Sequence, residues 1–324
     1  MQDTRYRLLG LYFTLVVLQA LFLGCSSAPN LTAADKLKTM VIRTPVPIGD
    51  ALWNGKHYFA VGDGGNVYFI NTEGVITRTA SVGSNSNLWG ATYGKNTYVA
   101  VGAGRSIYTS SDGGSWIAHS IPNASTYIYD VTYSEESGKF AATGDGGTVV
   151  LSNDATDWQD VSPGLNAELN GIAYANGYII TVGRYGTIFV SNNDGKSWIR
   201  PSAPTSEDLR GVVYGNGYYI IAGGESEGYA LISQDPERWD TLVPIAENWI
   251  WDIAFGDGVF VAVGQGGTIV YSKTPPYRKW EELSGKCKDL MPSYEWWHDV
   301  SFADGRFVIA GWDRHMAVLP TACF

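Results

Sequence analysis

The stretch "GVVYGNGYYIIAGG", Gly211 to Gly224, decides the reading of the chain because it recurs. Its siblings are "GATYGKNTYVAVGAG" from Gly90, "DVTYSEESGKFAATGDG" from Asp130, "GIAYANGYIITVGRYG" from Gly171, "DIAFGDGVFVAVGQG" from Asp252 and "DVSFADGRFVIAGWD" from Asp299. A further copy, "DALWNGKHYFAVGDG", begins at Asp50. The anchoring Gly or Asp stands at 50, 90, 130, 171, 211, 252 and 299, so the steps are 40, 40, 41, 40, 41 and 47 residues. Strand-like text at a period near forty residues predicts an all-β, seven-bladed propeller.

One copy read in full gives the blade. In "GATYGKNTYVAVGAGRSIYTSSDGGSWIAHSIPN", from Gly90, Ala91 to Tyr93 is a short inner strand and Gly94 to Asn96 a turn. Thr97 to Val101 is the second strand and Ser106 to Ser110 the third. A "SDGG" turn follows, and Trp116 opens the outer strand. Alternating apolar residues bounded by Gly and Asp-Gly turns are hairpin text, and four antiparallel strands make one blade. The last copy runs out at Phe324 after three strands. Before the first copy lies "LKTMVIRTPVP", Leu37 to Pro47, which has the length and pattern of the missing outer strand. It is expected to complete the last blade and so remove two open edges.

The turn between third and outer strands carries a motif. "SSDGGSW" ending at Trp116 and "SNNDGKSW" ending at Trp198 resemble the Asp-box of bacterial neuraminidase-type repeats. Looser forms are "SNDATDW", "SQDPERW" and "SKTPPYRKW", ending at Trp158, Trp239 and Trp280. The chain from residue 37 onward resembles bacterial Asp-box propellers, a superfamily that takes in sialidase-like proteins and the photosystem II assembly-factor-like group. The resemblance implies a seven-bladed, lipid-anchored scaffold whose Asp-boxes are structural turns away from the active face. Members of the assembly-factor-like group carry a marked Arg patch; here Arg is sparse and the chain is acidic. Sialidases use an Arg triad, a Tyr nucleophile and an acid on six blades. "IRTP" at Ile42 to Pro45 echoes their Arg-Ile-Pro motif, yet it falls in the closing strand.

Composition narrows the function. The 324 residues carry a net charge of −10 with no basic stripe, which argues against a nucleic-acid partner. The 39 glycines and only 17% charged residues suit tight turns and buried strands. Arg5 and Arg7 precede an apolar run from Leu8 to Leu23, and then "LFLGCSS". That is targeting text. Gly24-Cys25 resembles the bacterial lipobox, with Phe22 where Leu is usual. The division expected is therefore a signal peptide 1–24, a polar tether 25–36 starting at lipidated Cys25, and the propeller 37–324. Ser26 lacks the Asp that retains lipoproteins at an inner membrane, so the outer membrane is the expected destination. Cys287 and Cys323 form an even pair that invites a disulfide in an exported protein. The repeat register places them at strand ends on opposite faces, so a bridge requires the irregular stretch around Cys287 to fold down.

Ligands of propellers commonly sit over the central channel. The residue before each anchor reads Gly49, Trp89, Tyr129, Asn170, Arg210, Trp251 and His298. The turn between second and third strands contributes Asp63, Ala103, Asp145, Arg184, Gly224, Gln265 and Trp312. The frame repeats while these positions vary, as a ligand-facing surface would; loop tips free of constraint also vary. Tyr127, Trp249, Trp296, Trp297, Asp313 and Arg314 fall on or near the same face. Aromatic and Arg surfaces are typical of binding sites, and flat rings suit sugars. The candidate ligand-binding set is Trp89, Tyr129, Arg184, Arg210, Trp251, His298 and Trp312.

Chemistry has little text behind it. There is no phosphate loop, no metal-spaced His or Cys set and no Gly-x-Ser-x-Gly elbow. Of His57, His119, His298 and His315, only the last two fall near the rim. No cofactor or metal is expected. The leading expectation is a monomeric, non-catalytic envelope lipoprotein that recognises a protein or a glycan at the aromatic rim. The alternative is a carbohydrate-active hydrolase or lyase at the same rim, using carboxylates such as Asp63 or Asp145 with Arg184 or Arg210; a paired-acid glycosidase needs two carboxyl groups roughly 5–10 Å apart across the site.

Overall fold

The computed structural model describes residues 38–121, 127–292 and 295–324. The expected signal peptide, the tether and Cys25 lie outside these residues. The rest folds into seven antiparallel sheets, each built from consecutive strands in sequence order apart from the last. Each inner strand packs on the next, and that of the seventh blade packs on that of the first.

The quoted stretch shows why a blade forms. Leu209–Gly215 and Tyr218–Gly223 pair, and Asn216 and Gly217 between them both adopt positive φ, 50° and 81°. A turn with two left-handed residues matches strand twist, which is why Asn-Gly recurs here. Asn176-Gly177, Asp257-Gly258 and Asp304-Gly305 turn in the same way. The second strand is buried between neighbouring blades on both faces, so it reads as a continuous apolar run, such as Tyr219 to Ala222.

The ring closes as the sequence implies. Met40–Arg43 pairs antiparallel with His315–Pro320, from Met40 opposite Val318 to Arg43 opposite His315. Ile42 is buried against Ile48, Met316 and Val318. The closing strand runs toward the turn at Trp312, so the described chain enters on the opposite face.

The turns between third and outer strands are held by their own side chains. Asp112 Oδ1 accepts the backbone N–H groups of Gly114 and Ser115 at 2.8 and 2.9 Å, and Ser110 Oγ accepts that of Gly113 at 2.8 Å. These donors hold the Asp112 carboxyl down to a pKa of about 2. Trp116 Nε1 donates to the Gly113 carbonyl at 3.3 Å, and Trp158, Trp239 and Trp280 repeat that bond.

Two details depart from the sequence reading, and a third meets a condition that it set. The fourth blade has three strands, Leu169–Ala175, Tyr178–Gly183 and Thr187–Ser191, and its outer strand shrinks to one bridge between Val190 and Ile199. Pro201 and Pro204 follow, and proline has no N–H to give a ladder. Trp297 lies in the seventh blade's core, fully buried, and does not reach the rim. The pairing of Cys287 with Cys323, which the register made conditional on the irregular stretch folding down, is made: they are bonded, with Cα atoms 5.9 Å apart. The long sixth step supplies a short helix, Gly285–Asp289, that carries Cys287 into the core cluster of blades six and seven. The chain end turns back through Thr321–Cys323 to meet it, with Phe324 against Tyr271 and Phe307. Thr39 Oγ1 touches both sulfurs, at 3.6 and 3.3 Å.

Candidate functional site

Every inner strand carries a β-bulge one residue before its anchor. The register slips between Ile48 and Asp50, Leu88 and Gly90, Leu209 and Gly211, and at the matching place in the other blades. A bulge leaves one residue unpaired and re-aims its side chain. The unpaired residues are Gly49, Trp89, Tyr129, Asn170, Arg210, Trp251 and His298, the first rim set read from sequence. A bare glycine at 49 has a steric reason, since a Cβ there would lie 2.1 Å from the Leu88 carbonyl oxygen.

A second regularity completes the rim. The residue three before each anchor accepts, through its carbonyl, the N–H of the neighbouring turn between second and third strands. Asp63 donates to Pro47 at 3.1 Å, Arg184 to Glu168 at 3.0 Å, Gly224 to Asp208 at 2.9 Å and Trp312 to Trp296 at 3.1 Å; the other blades match. Three residues per blade therefore surround one channel mouth. The third set includes Glu168 and Asp208, which the sequence reading passed over, although their fixed offset from the anchor marks them.

Aromatic rings gather in two clusters on this mouth. Trp89 lies 5.4 Å from Tyr127 and 5.6 Å from Tyr129. Across the channel Trp251 contacts Trp249, His298 and Trp312, and Trp312 stacks on His298 at 4.8 Å and on Trp296 at 6.2 Å. The Arg210 guanidinium lies 4.0 Å over the Trp251 ring. It also meets Asp208 at 3.5 Å, while Arg184 meets Glu168 at 3.0 Å and Asp208 at 3.6 Å. All seven sequence-derived site residues thus line one cavity, about 1100 Å³, continuous with the central channel.

Below the mouth the anchors themselves form a carboxyl collar. Asp50 Oδ2 accepts the Ala91 N–H at 2.5 Å, Asp130 that of Ile172 at 2.8 Å and Asp252 that of Val300 at 2.9 Å. Each bond ties one inner strand to the next, one residue past its anchor. Asp299 instead hydrogen-bonds the Asp50 carboxyl, and its Oδ2 is buried without a partner. Where the anchor is Gly211, the strands approach too closely for a side chain: a Cβ would lie 2.5 Å from Asp252 Oδ1. Burial, reinforced in Asp130, Asp252 and Asp299 by the neighbouring carboxyls, raises the collar. Asp50 is pushed up to about 6, Asp130 to about 7 and Asp252 to about 8, and Asp299 also rises well above the carboxylate range.

The polar groups of the rim are engaged with one another and with the backbone. The Tyr129 hydroxyl donates to Asp145 Oδ1 at 2.9 Å, and burial with this bond raises its pKa, so the phenol is protonated at pH 7. Burial pushes His298 down to about 4, so the ring is neutral at pH 7 and Nδ1 donates to the Gly49 carbonyl at 3.2 Å. Glu295, wholly buried, binds His315 Nδ1 and the Asp313 N–H, each at 2.6 Å, and so fixes the loop beside Trp312. Among the described residues neither Arg184 nor Arg210 forms an ion pair with Asp63 or Asp145. No cluster of three metal-ligating side chains occurs among the described residues.

No protein-family model and no curated protein matches the sequence. Solved structures do match in shape, and they define the class as a seven-bladed β-propeller. YCF48 bound to D1 peptide superposes with a TM-score of 0.70 at 14% identity, over 87% of this chain and 94% of that one. Virginiamycin B lyase from Staphylococcus aureus gives 0.72 at 14% identity, over 87% and 99%. The WD40 repeats of RRP9 give 0.73 at 10% identity, over 87% and 97%. At such identities the likeness is one of fold.

Proposed function

We propose that this chain is a non-catalytic receptor module that binds a polypeptide segment at the aromatic mouth of its channel. One observation carries the reading: over a frame that is otherwise repeated, seven bulges set a bare glycine and six side chains of five types, Trp, Tyr, Asn, Arg and His, at one mouth. An assembly with only a packing role would not need different residues at the same bulge. The engaged states of Tyr129, Asp145, Arg184 and Arg210 favour binding over the carbohydrate-active alternative. A glycan ligand remains an arm of the test. The structural neighbour seen with a bound peptide adds support by analogy of fold.

The proposal extends to location. The turns between third and outer strands form the face opposite the mouth, as the Asp-box resemblance implies, and the described chain starts on that face. A tether from lipidated Cys25 in an outer membrane would then join the ring away from the site and leave the mouth free. The Cys287–Cys323 bond supports export, because structural disulfides persist in oxidising compartments.

The test is a screen of envelope proteins and glycans against the wild-type chain and the Trp89→Ala and Trp312→Ala variants. Aromatic hot spots cost about 2 kcal/mol or more on truncation, roughly thirtyfold in affinity. Asp112→Ala, on the opposite face, should lower stability and leave affinity unchanged. Unaltered affinity in both rim variants would move the site elsewhere.

A further inference from the structure

We propose that the bound segment is cationic, a stretch of polypeptide bearing lysine or arginine laid across the channel mouth. This rests on the receptor reading above and names its partner by charge. At the mouth the cavity is lined by the carboxyls of Glu168, Asp208 and Glu225 against two guanidinium groups, the raised collar carboxyls lying below. Neither guanidinium is free to attract an anion. Arg184 faces Glu168 and Asp208, and Arg210 faces Asp208 while lying flat on Trp251. The guanidinium groups lining the cavity are therefore matched internally; Arg105 and Arg314 lie on the turns of blades two and seven, and the charge that a partner meets beside blade five is negative.

Glutamates carry that charge. Glu207, Glu225 and Glu227 stand on one loop pair there, and none has a basic partner within 4 Å among the described residues. Glu207 Oε2 accepts the Glu225 N–H at 2.9 Å and Glu227 accepts the Tyr229 hydroxyl at 2.9 Å, which fixes the carboxyls without neutralising them. The apolar component of the surface fits the same partner. Tyr185, Leu165, Trp312 and Tyr127 are 76%, 46%, 39% and 37% exposed, and topology puts all four on the mouth face. Long basic side chains lay apolar stems on such residues and set their charged heads over ring faces or against carboxylates. The Arg210–Trp251 stack is that contact made within the chain itself. An acidic segment would instead meet unpaired Glu225 and Glu227, and like charges at an interface are excluded by repulsion.

A random nine-residue peptide library panned on the purified full-length chain at about 50 mM salt tests this. Lysine and arginine should be enriched at least threefold in the retained pool and aspartate and glutamate depleted. Raising salt to about 200 mM should release most of that pool. The exposed-loop double variant Glu225→Lys/Glu227→Lys should lose the enrichment while keeping the wild-type melting temperature. Retained peptides without basic bias, or with acidic bias, overturn the cationic partner and leave the receptor reading standing. Spermidine displacing the pool as well as its free peptides do would assign the site to small cations and overturn the polypeptide. A library from which nothing is retained overturns both readings.

Discussion

Replacing Cys287 and Cys323 together by serine should cost this ring far more than two surface substitutions do. The bond joins residues 36 apart in sequence. In the chain-entropy account a loop of that size removes about 13 cal/mol/K from the unfolded chain, or about 4 kcal/mol at 25 °C. The bond also pins the helix Gly285–Asp289 and the chain end beside Thr39, at the start of the closing strand. Its loss therefore falls on the seam where the ring is held shut. At about 2 °C per kcal/mol for a chain of this size, the double variant should melt roughly 8 °C lower. Scanning calorimetry of wild type and Cys287→Ser/Cys323→Ser, both without reductant, measures this directly. A fall under about 2 °C would refute the argument, since a cross-link that does not restrict the unfolded chain cannot stabilise through entropy. Free-thiol titration of the unfolded, unreduced protein supplies the control: Cys287 and Cys323 should not react.

Further expectations concern pH and anchoring. The collar carboxyls bind protons more tightly folded than unfolded, so stability should fall as pH rises from about 4 through about 8 and level off beyond. For Asp130, raised from 3.8 to about 7, full ionisation costs on the order of 4 kcal/mol as an upper bound. Urea midpoints at pH 5, 7 and 9 should decline in that order, and Asp252→Asn should flatten the slope; midpoints that climb with pH would contradict the collar. Cys25→Ala should release the protein from membranes, and a variant that survives a carbonate wash would show an uncleaved anchor instead.

How much of this was legible in the sequence follows from what repeats. The anchors at Asp50, Gly90 and their successors are fixed by hydrogen bonding and close packing that every blade shares, so their spacing gave the blade count. The residue before each anchor was legible as a rim position for the same reason, although the bulge that puts it there was not: a bulge is a property of two strands in register. Glu168 and Asp208 were overlooked because their side chains vary while their conserved task, accepting a backbone N–H, belongs to the carbonyl. The disulfide stayed open at the level of sequence because it depends on a helix inside the one irregular step, where the repeat supplies no register. Trp297 looked like its neighbour Trp296, and only strand alternation sends one to the core and the other to the mouth. The fourth blade's lost outer strand was written in Pro201 and Pro204, which a template of four strands per blade overrode.

The central claim, that a partner binds the aromatic mouth, is tested most directly by site-specific photocrosslinking in the producing cells. A photoreactive phenylalanine analogue is placed at Trp89, at Trp312 and, as the reference away from the mouth, at Ile117, which is 64% exposed on an outer strand. The account predicts a discrete adduct from Trp89 and Trp312, competed by excess wild-type chain, and none from Ile117. Adducts from Ile117 alone, or equally from all three positions, would contradict it.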